Sequence, residues 1–220
     1  MDTSAARQAI FSRIRKGQQR SHLVSQGELD AVQDYLQQHP SGPQPQVGAY
    51  LVGHFREQAQ RMSDTVAEVA SMAAVPVAVA AYLDDLGITK QAIAWKTLDA
   101  LAWAQAGIEL AFRPPVNDDL VGITGTFCAV AETGSLLLLS GPDTYASASL
   151  LPETHIAILP ASRIVAYMED AFALVRAERG ELPRATNFIS GPSRTGDIEQ
   201  TIVLGAHGPY RVHVIVVLDA

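Results

Sequence analysis

Apolar residues in the first forty positions recur at helical spacing, and the pattern changes character further along the chain. Ala6, Ile10 and Ile14 trace a narrow stripe with Arg13, Arg15 and Lys16 lying off it, which predicts a first helix. Ser25 with Glu28 three residues on matches a capping box, and Leu29, Val32 and Leu36 follow at helical spacing, predicting a second. His39-Pro40 stops that helix. The run Pro40 to Gln46 holds three prolines and a glycine, a composition that forbids regular structure. It is read as a linker, so residues 1–46 form a helical arm and residues 47–220 the main body.

In the main body, Leu51, Phe55, Ala59 and Met62 share one face of a third helix. A strand is expected at Thr65 to Val69, then a helix from Pro76 to Leu86 stopped by Gly87. Ala92 to Trp95 reads as a buried strand and Leu98 to Ala106 as a helix ending at Gly107. Strand, helix and strand in short succession predict parallel βαβ units. Further on, continuous apolar runs at Leu136 to Leu139 and His155 to Leu159 read as buried strands. A helix from Ile164 to Arg179 precedes Gly180, Phe188-Ile189 ends a strand, Asp197 to Leu204 reads as a short helix, and Val212 to Leu218 as a final strand. The fold class is therefore α/β, with an open, mostly parallel sheet flanked by helices. In such sheets ligands sit in the loops that follow the strands.

Composition narrows the partners. The formal net charge of -7, with the main basic stretch confined to Arg13–Arg20, disfavours duplex nucleic acid, whose binding depends on neutralising phosphates. The N-terminal residues have no uninterrupted apolar core of a secretory leader. The longest apolar stretch, Ala73 to Leu83, is too short to span a bilayer. A cytoplasmic location is expected. The single cysteine, Cys128, permits no intrachain disulfide and cannot by itself hold an iron–sulfur cluster.

Three segments could carry chemistry. In Gly122 to Ser140, Glu132 is placed to act as a base or nucleophile, with Thr133 and Ser135 as hydrogen-bond donors around Gly134. The competing reading is a β-turn in which Gly134 supplies positive φ and the hydroxyls bond the backbone. In Ile189 to Glu199, Gly191, Ser193, Arg194 and Thr195 before a helix start make a candidate anion pocket. Asp197 and Glu199 could equally hold Arg194 in an internal ion pair. In Gly205 to Pro209, His207 sits beside Gly208 and is a candidate for proton transfer or carboxylate binding. His213 reads as a strand residue, Cys128 as a small buried one, and no metal site is expected. The chain has no Walker loop, no G-x-S-x-G elbow, no H-E-x-x-H and no strand-bound G-x-G-x-x-G, so no resident cofactor is expected either.

These three segments resemble the lactate-utilization protein C family, which carries the LUD domain. The resemblance rests on Gly125 with Ala131-Glu132-Thr133-Gly134-Ser135, on Ser190-Gly191-Pro192-Ser193-Arg194-Thr195 with Asp197-Ile198-Glu199, and on Gly205 with His207-Gly208-Pro209. It spans roughly Val121 to Leu218, and Cys128 departs from the small apolar residue expected there. It implies a fold similar to the ribose-5-phosphate isomerase and CoA-transferase group, an associational link that transfers no reaction. It also implies a non-redox role in oxidising L-lactate to pyruvate alongside iron–sulfur partner proteins. On that reading Arg194 pairs a small carboxylate, Thr133, Gly134, Ser135, Gly191, Ser193, Thr195 and Gly208 complete the pocket, and Glu132 and His207 handle protons. A stand-alone transferase or isomerase acting on a phosphorylated or CoA-linked substrate, and a structural module that docks a partner through the arm, remain the alternatives.

Overall fold

The computed structural model describes residues 3–20, 24–196 and 203–220. The chain divides into two compact units, residues 1–44 and 45–220. In the first, α1 (Ser4–Gly17) and α2 (Gln26–Gln38) have no buried residue. Ser25 caps α2 in both senses: its Oγ accepts from the Glu28 N–H at 3.3 Å, and its own N–H donates to Glu28 Oε2 at 2.9 Å.

The second unit holds α3 (Leu51–Arg61), β1 (Thr65–Val69), α4 (Val75–Leu86), β2 (Gln91–Ala94), β3 (Glu109–Ala111), β4 (Val121–Gly125), β5 (Cys128–Val130), β6 (Ser135–Leu139), β7 (Thr154–Pro160), β8 (Ile164–Val165), α5 (Met168–Arg179), β9 (Thr186–Ile189), β10 (Arg194–Thr195), β11 (Val203–Leu204) and β12 (Arg211–Val217). Six strands, in the order β1-β12-β7-β4-β2-β3, form an all-parallel sheet. β7 and β12 lie inside it, each with a strand on either side and buried almost throughout, which is why both read as nearly unbroken apolar runs.

One face of this sheet packs Ile123, Ile156, Ile158 and Ile215 against Val75, Val79 and Leu83 of α4. The other face does not meet a helical layer alone. It packs Ala157, Leu159, Val214 and Val216 against Phe55 and Ala59 of α3 and against Leu136 and Leu138 of a second sheet. That second sheet, ordered β8-β5-β6-β9, is mixed. Its far side packs Cys128, Val130 and Leu137 against Ala171 and Val175 of α5. Leu136 to Leu139 is continuous in apolarity because it is sandwiched on both sides.

Three elements differ from the sequence reading. Leu98 to Ala106 is not an α-helix but two short 3-10 turns, Lys96–Leu98 and Trp103–Ala106. The Trp103 indole N–H donates to the Leu98 carbonyl at 2.7 Å, taking the acceptor that a continuing helix would use. The helix expected from Ile164 begins at Met168, because Ile164 and Val165 pair with Ala129 and Val130 as a strand. Of the helix expected from Asp197 to Leu204, Val203–Leu204 is a strand paired with Arg194–Thr195, and the remainder, Asp197 and Glu199 included, lies outside the described residues, leaving the ion pair considered for Arg194 there undescribed. Among the described residues no helix is long and apolar enough to cross a membrane.

Cys128 is fully buried, and burial pushes its thiol up to about 11. The native chain is therefore expected to resist a thiol-specific reagent at pH 8 and to react stoichiometrically once denatured. Rapid labelling without denaturant would contradict this burial.

Candidate functional site

The three motif segments converge where α3 ends and β1 begins. The turn before β6 is bound to the segment after β9 by a chain of hydroxyls: Thr133 Oγ1 lies 2.7 Å from Ser135 Oγ, which lies 2.5 Å from Ser190 Oγ. Gly134 has φ 68, and a Cβ there would stand 2.3 Å from the Ala59 backbone nitrogen. Gly191 has φ 80, and its Cβ would stand 2.2 Å from the Met62 carbonyl oxygen. Both glycines let loop backbone press directly on α3. Ser193 joins the second motif to the third. Its N–H donates to the Pro209 carbonyl at 2.9 Å, its carbonyl accepts from the Gly205 N–H at 2.9 Å, and its Oγ accepts from the His207 N–H at 3.3 Å.

Much of the hydrogen-bonding capacity that suggested a ligand pocket is thus engaged in holding loops together. Arg194 shows the same division. Its Nη2 donates to the Met62 carbonyl at 2.7 Å and also contacts Ser63 Oγ, while the residue is exposed. Thr195 is buried, and Gly208 packs against Ser193, its position for a Cβ lying 3.3 Å from Ser193 Cβ. Glu132 is half-buried with its N–H donating to Ala166 at 3.0 Å, and His207 is exposed. Among the described residues no hydrogen bond or ion pair joins either of these two side chains to another motif residue.

A residue the sequence reading passed over lies at the same junction. Asp64, directly before β1, is 5% exposed, and neither carboxyl oxygen has a hydrogen-bond partner. Burial raises its carboxyl from 3.8 to about 7. The charge of Arg194 and the nearby Gly191 N–H oppose that rise without cancelling it. Between a helix and a strand, a lone aspartate reads as an ordinary turn residue. The groups that act on its charge, Gly191 and Arg194, come from far along the chain.

Two buried histidines flank the region on the central strands. His155 is fully buried, its Nε2 is 2.8 Å from Thr124 Oγ1, and its Nδ1 has no partner. His213 stacks on Tyr82 with ring centroids 3.8 Å apart, holds Thr65 Oγ1 at 2.7 Å through Nδ1, and leaves Nε2 without a partner. Burial lowers both imidazoles to about 4, so both are neutral at pH 7.

Asp64 precedes β1 and Pro209 precedes β12, so this junction lies at the amino ends of the parallel strands.

Comparison with known proteins places the chain. The LUD domain family model matches residues 2–217. The lactate utilization protein C of Bacillus licheniformis is 41% identical over 102 residues, covering 45% of this chain and 42% of that protein. The protein of the same name from Shouchella clausii is 46% identical over 101 residues, 45% of this chain and 44% of that one. The chain thus spans less than half the length of these curated relatives. The crystal structure of a duf162 family protein from Deinococcus radiodurans aligns with a TM-score of 0.60 and 25% identity, over 79% of this chain and 99% of that one. With the motifs, the parallel sheet and the family match in agreement, this chain belongs to the LUD domain family.

Proposed function

We propose that the chain is a non-redox component of an L-lactate utilisation system and binds a small carboxylate beside Asp64 and Arg194. The names of the curated relatives support the lactate assignment. The observation that carries the site is the buried Asp64 carboxyl, unpartnered at both oxygens, beside the exposed residue Arg194. A 2-hydroxy acid matches this pair: its carboxylate pairs with the Arg194 guanidinium, while the buried Asp64 carboxyl acts on it through charge. Ser193 and Thr195 frame the loop, Gly191 and Gly208 bring its backbone close, and on this reading His207 and Glu132 exchange protons with the ligand. Oxidation of L-lactate to pyruvate releases two electrons and two protons. The single cysteine supports a division of labour in which iron–sulfur partners carry the electrons.

The test is a thermal-shift and calorimetric titration with L-lactate, pyruvate, phosphate and CoA, on the chain alone and with its partners. Ligand at a hundred times its Kd stabilises the native state by about 2.7 kcal/mol, a measurable rise in Tm. L-lactate is expected to raise the Tm, and Arg194→Ala to abolish the rise. Because ionised Asp64 repels a carboxylate, binding is expected to tighten as pH falls from 8 to 6 and to lose that dependence in Asp64→Asn. Absence of any response to lactate or pyruvate in both settings sinks the pocket, and a response to CoA alone points to transferase chemistry.

A further inference from the structure

The end of α3 carries a residue that its own turn does not call for. The Asp64 N–H donates to the Ala59 carbonyl at 3.0 Å, and the Ser63 N–H to the Gln60 carbonyl at 2.9 Å. These are the two closing bonds of a Schellman turn, which puts the residue after the helix cap in left-handed backbone. Here that residue is Ser63, with φ 75. Among the described residues of the second unit it is the one non-glycine with positive φ.

The chain closes two other helical ends with the same pair of bonds. After α4 they run from Gly87 to Asp84 at 3.0 Å and from Ile88 to Leu83 at 3.1 Å. After the Trp103–Ala106 turn they run from Gly107 to Ala104 and from Ile108 to Trp103, both at 3.1 Å. Both ends place glycine, with φ 64 and 74, where α3 has serine. A Cβ in left-handed backbone crowds the following carbonyl, so serine costs the turn stability that glycine would not. Such strain gathers where a site needs the side chain.

What serine adds is a hydroxyl. Arg194 Nη2 donates to the Met62 carbonyl at 2.7 Å and also contacts Ser63 Oγ. The turn thus offers two acceptors from consecutive residues to one nitrogen, which restricts how the guanidinium can rotate. Glycine at this position would keep the Met62 carbonyl and remove the second acceptor. Ser63 and Arg194 are both exposed, so their contact does little for the fold. The next residue is Asp64, buried and unpartnered at both carboxyl oxygens. One turn therefore holds the arginine and leads directly into the acid.

We propose that Ser63 is a positioning residue whose hydroxyl, kept where the backbone favours glycine, holds the Arg194 guanidinium in the orientation that receives a small carboxylate beside Asp64. The inference rests on Arg194 being the carboxylate's partner. It makes Ser63 a determinant of affinity and not of the fold.

Two substitutions separate the hydroxyl from the turn. Ser63→Gly keeps the left-handed backbone and removes the acceptor. Ser63→Asn keeps both, because asparagine tolerates that backbone and its side-chain carbonyl accepts hydrogen bonds. The readouts are the urea midpoint, calorimetric titration with L-lactate, and nitrogen NMR of the Arg194 guanidinium, assigned by its loss in Arg194→Lys. Ser63→Gly is expected to have a midpoint no lower than the parent and to bind L-lactate at least about fivefold more weakly. Ser63→Asn is expected to bind within about twofold of the parent. Without ligand, restricted rotation is expected to resolve the Nη signals of Arg194 in the parent and in Ser63→Asn, and to let them merge in Ser63→Gly. Undiminished lactate binding by Ser63→Gly overturns the proposal. A lowered midpoint in that variant does so too, since the serine would then serve the fold, as does an equal loss of binding in both variants. A parent chain that does not bind lactate at all sinks the carboxylate reading of Arg194 by itself. The ligand-free Nη signals then decide on Ser63 separately: if they are unchanged in Ser63→Gly, the positioning role falls as well.

Discussion

Asp64→Asn is expected to stabilise the folded chain at pH 8 by several kcal/mol. Asp64 is 5% exposed and has no hydrogen bond to its carboxyl oxygens, so the ionised form is unfavourable in the native state. Raising the carboxyl from 3.8 to about 7 corresponds to roughly 4 kcal/mol withheld from the native state once the group is ionised. Asparagine keeps the shape and removes the charge. Chemical denaturation at pH 8 checks this, and a variant no more stable than the parent would show that the carboxylate is compensated in the native state. A gain in stability with loss of lactate binding would fit a group kept for function at the expense of the fold.

The pH profile follows from three groups with opposite signs. Asp64 is protonated in the native state up to about pH 7 but ionised in the unfolded chain above 3.8, so its contribution falls as pH rises through that window. His155 and His213 are neutral in the native state above about pH 4, whereas the unfolded chain protonates them below 6.5. Their two contributions are therefore lost as pH falls from 6.5 toward 4. Between 4 and 6.5 the two histidines outweigh the single aspartate, and stability rises with pH. From 6.5 to above 7 the aspartate acts alone, and stability declines. These groups place the maximum near pH 6.5, and in Asp64→Asn the decline above it disappears. Denaturation midpoints from pH 4 to 8.5 read this directly.

What the sequence revealed follows a physical division. β7 and β12 were legible because strands buried on both faces have nearly continuous apolar runs. The cap of α2 was legible because Ser25 and Glu28 act within one turn. Leu98 to Ala106 was misread because its apolar spacing suits a helix, while both Leu98 and Trp103 are claimed by the core beneath α4. The second sheet was missed because Ile164 and Val165 become a strand only by pairing with Ala129 and Val130, some 35 positions earlier. At the site, the pattern singled out Ser193, Arg194 and Gly134, and the structure gathers their segments. It shows that much of their bonding is internal, and that the buried acid among them is Asp64. No local pattern distinguishes that aspartate, because the groups that act on its charge, Gly191 and Arg194, are distant in sequence.

The turn at Gly134 is the place where a single methyl group is expected to do most harm. Gly134 combines φ 68 with a Cβ position 2.3 Å from the Ala59 nitrogen and 2.6 Å from the Gln58 carbonyl carbon. Either feature alone is tolerable; an alanine in left-handed backbone costs about 1–2 kcal/mol. The clash is different in kind, because the opposing atoms are backbone of α3 and cannot rotate away. α3 also seats Phe55 and Ala59 in the inter-sheet core, so moving the helix opens that core as well. Gly134→Ala is therefore expected to lose more than about 4 kcal/mol, or to prevent folding. Gly87 supplies the control: it is left-handed, with φ 64 and ψ 30, but a Cβ there meets nothing within 4 Å. Gly87→Ala isolates the backbone contribution and is expected to stay within about 2 kcal/mol of the parent. Paired urea denaturations of the two variants separate strain from collision. Equal losses would mean that α3 yields easily to the turn, and that Gly134 is required for its dihedral angle alone.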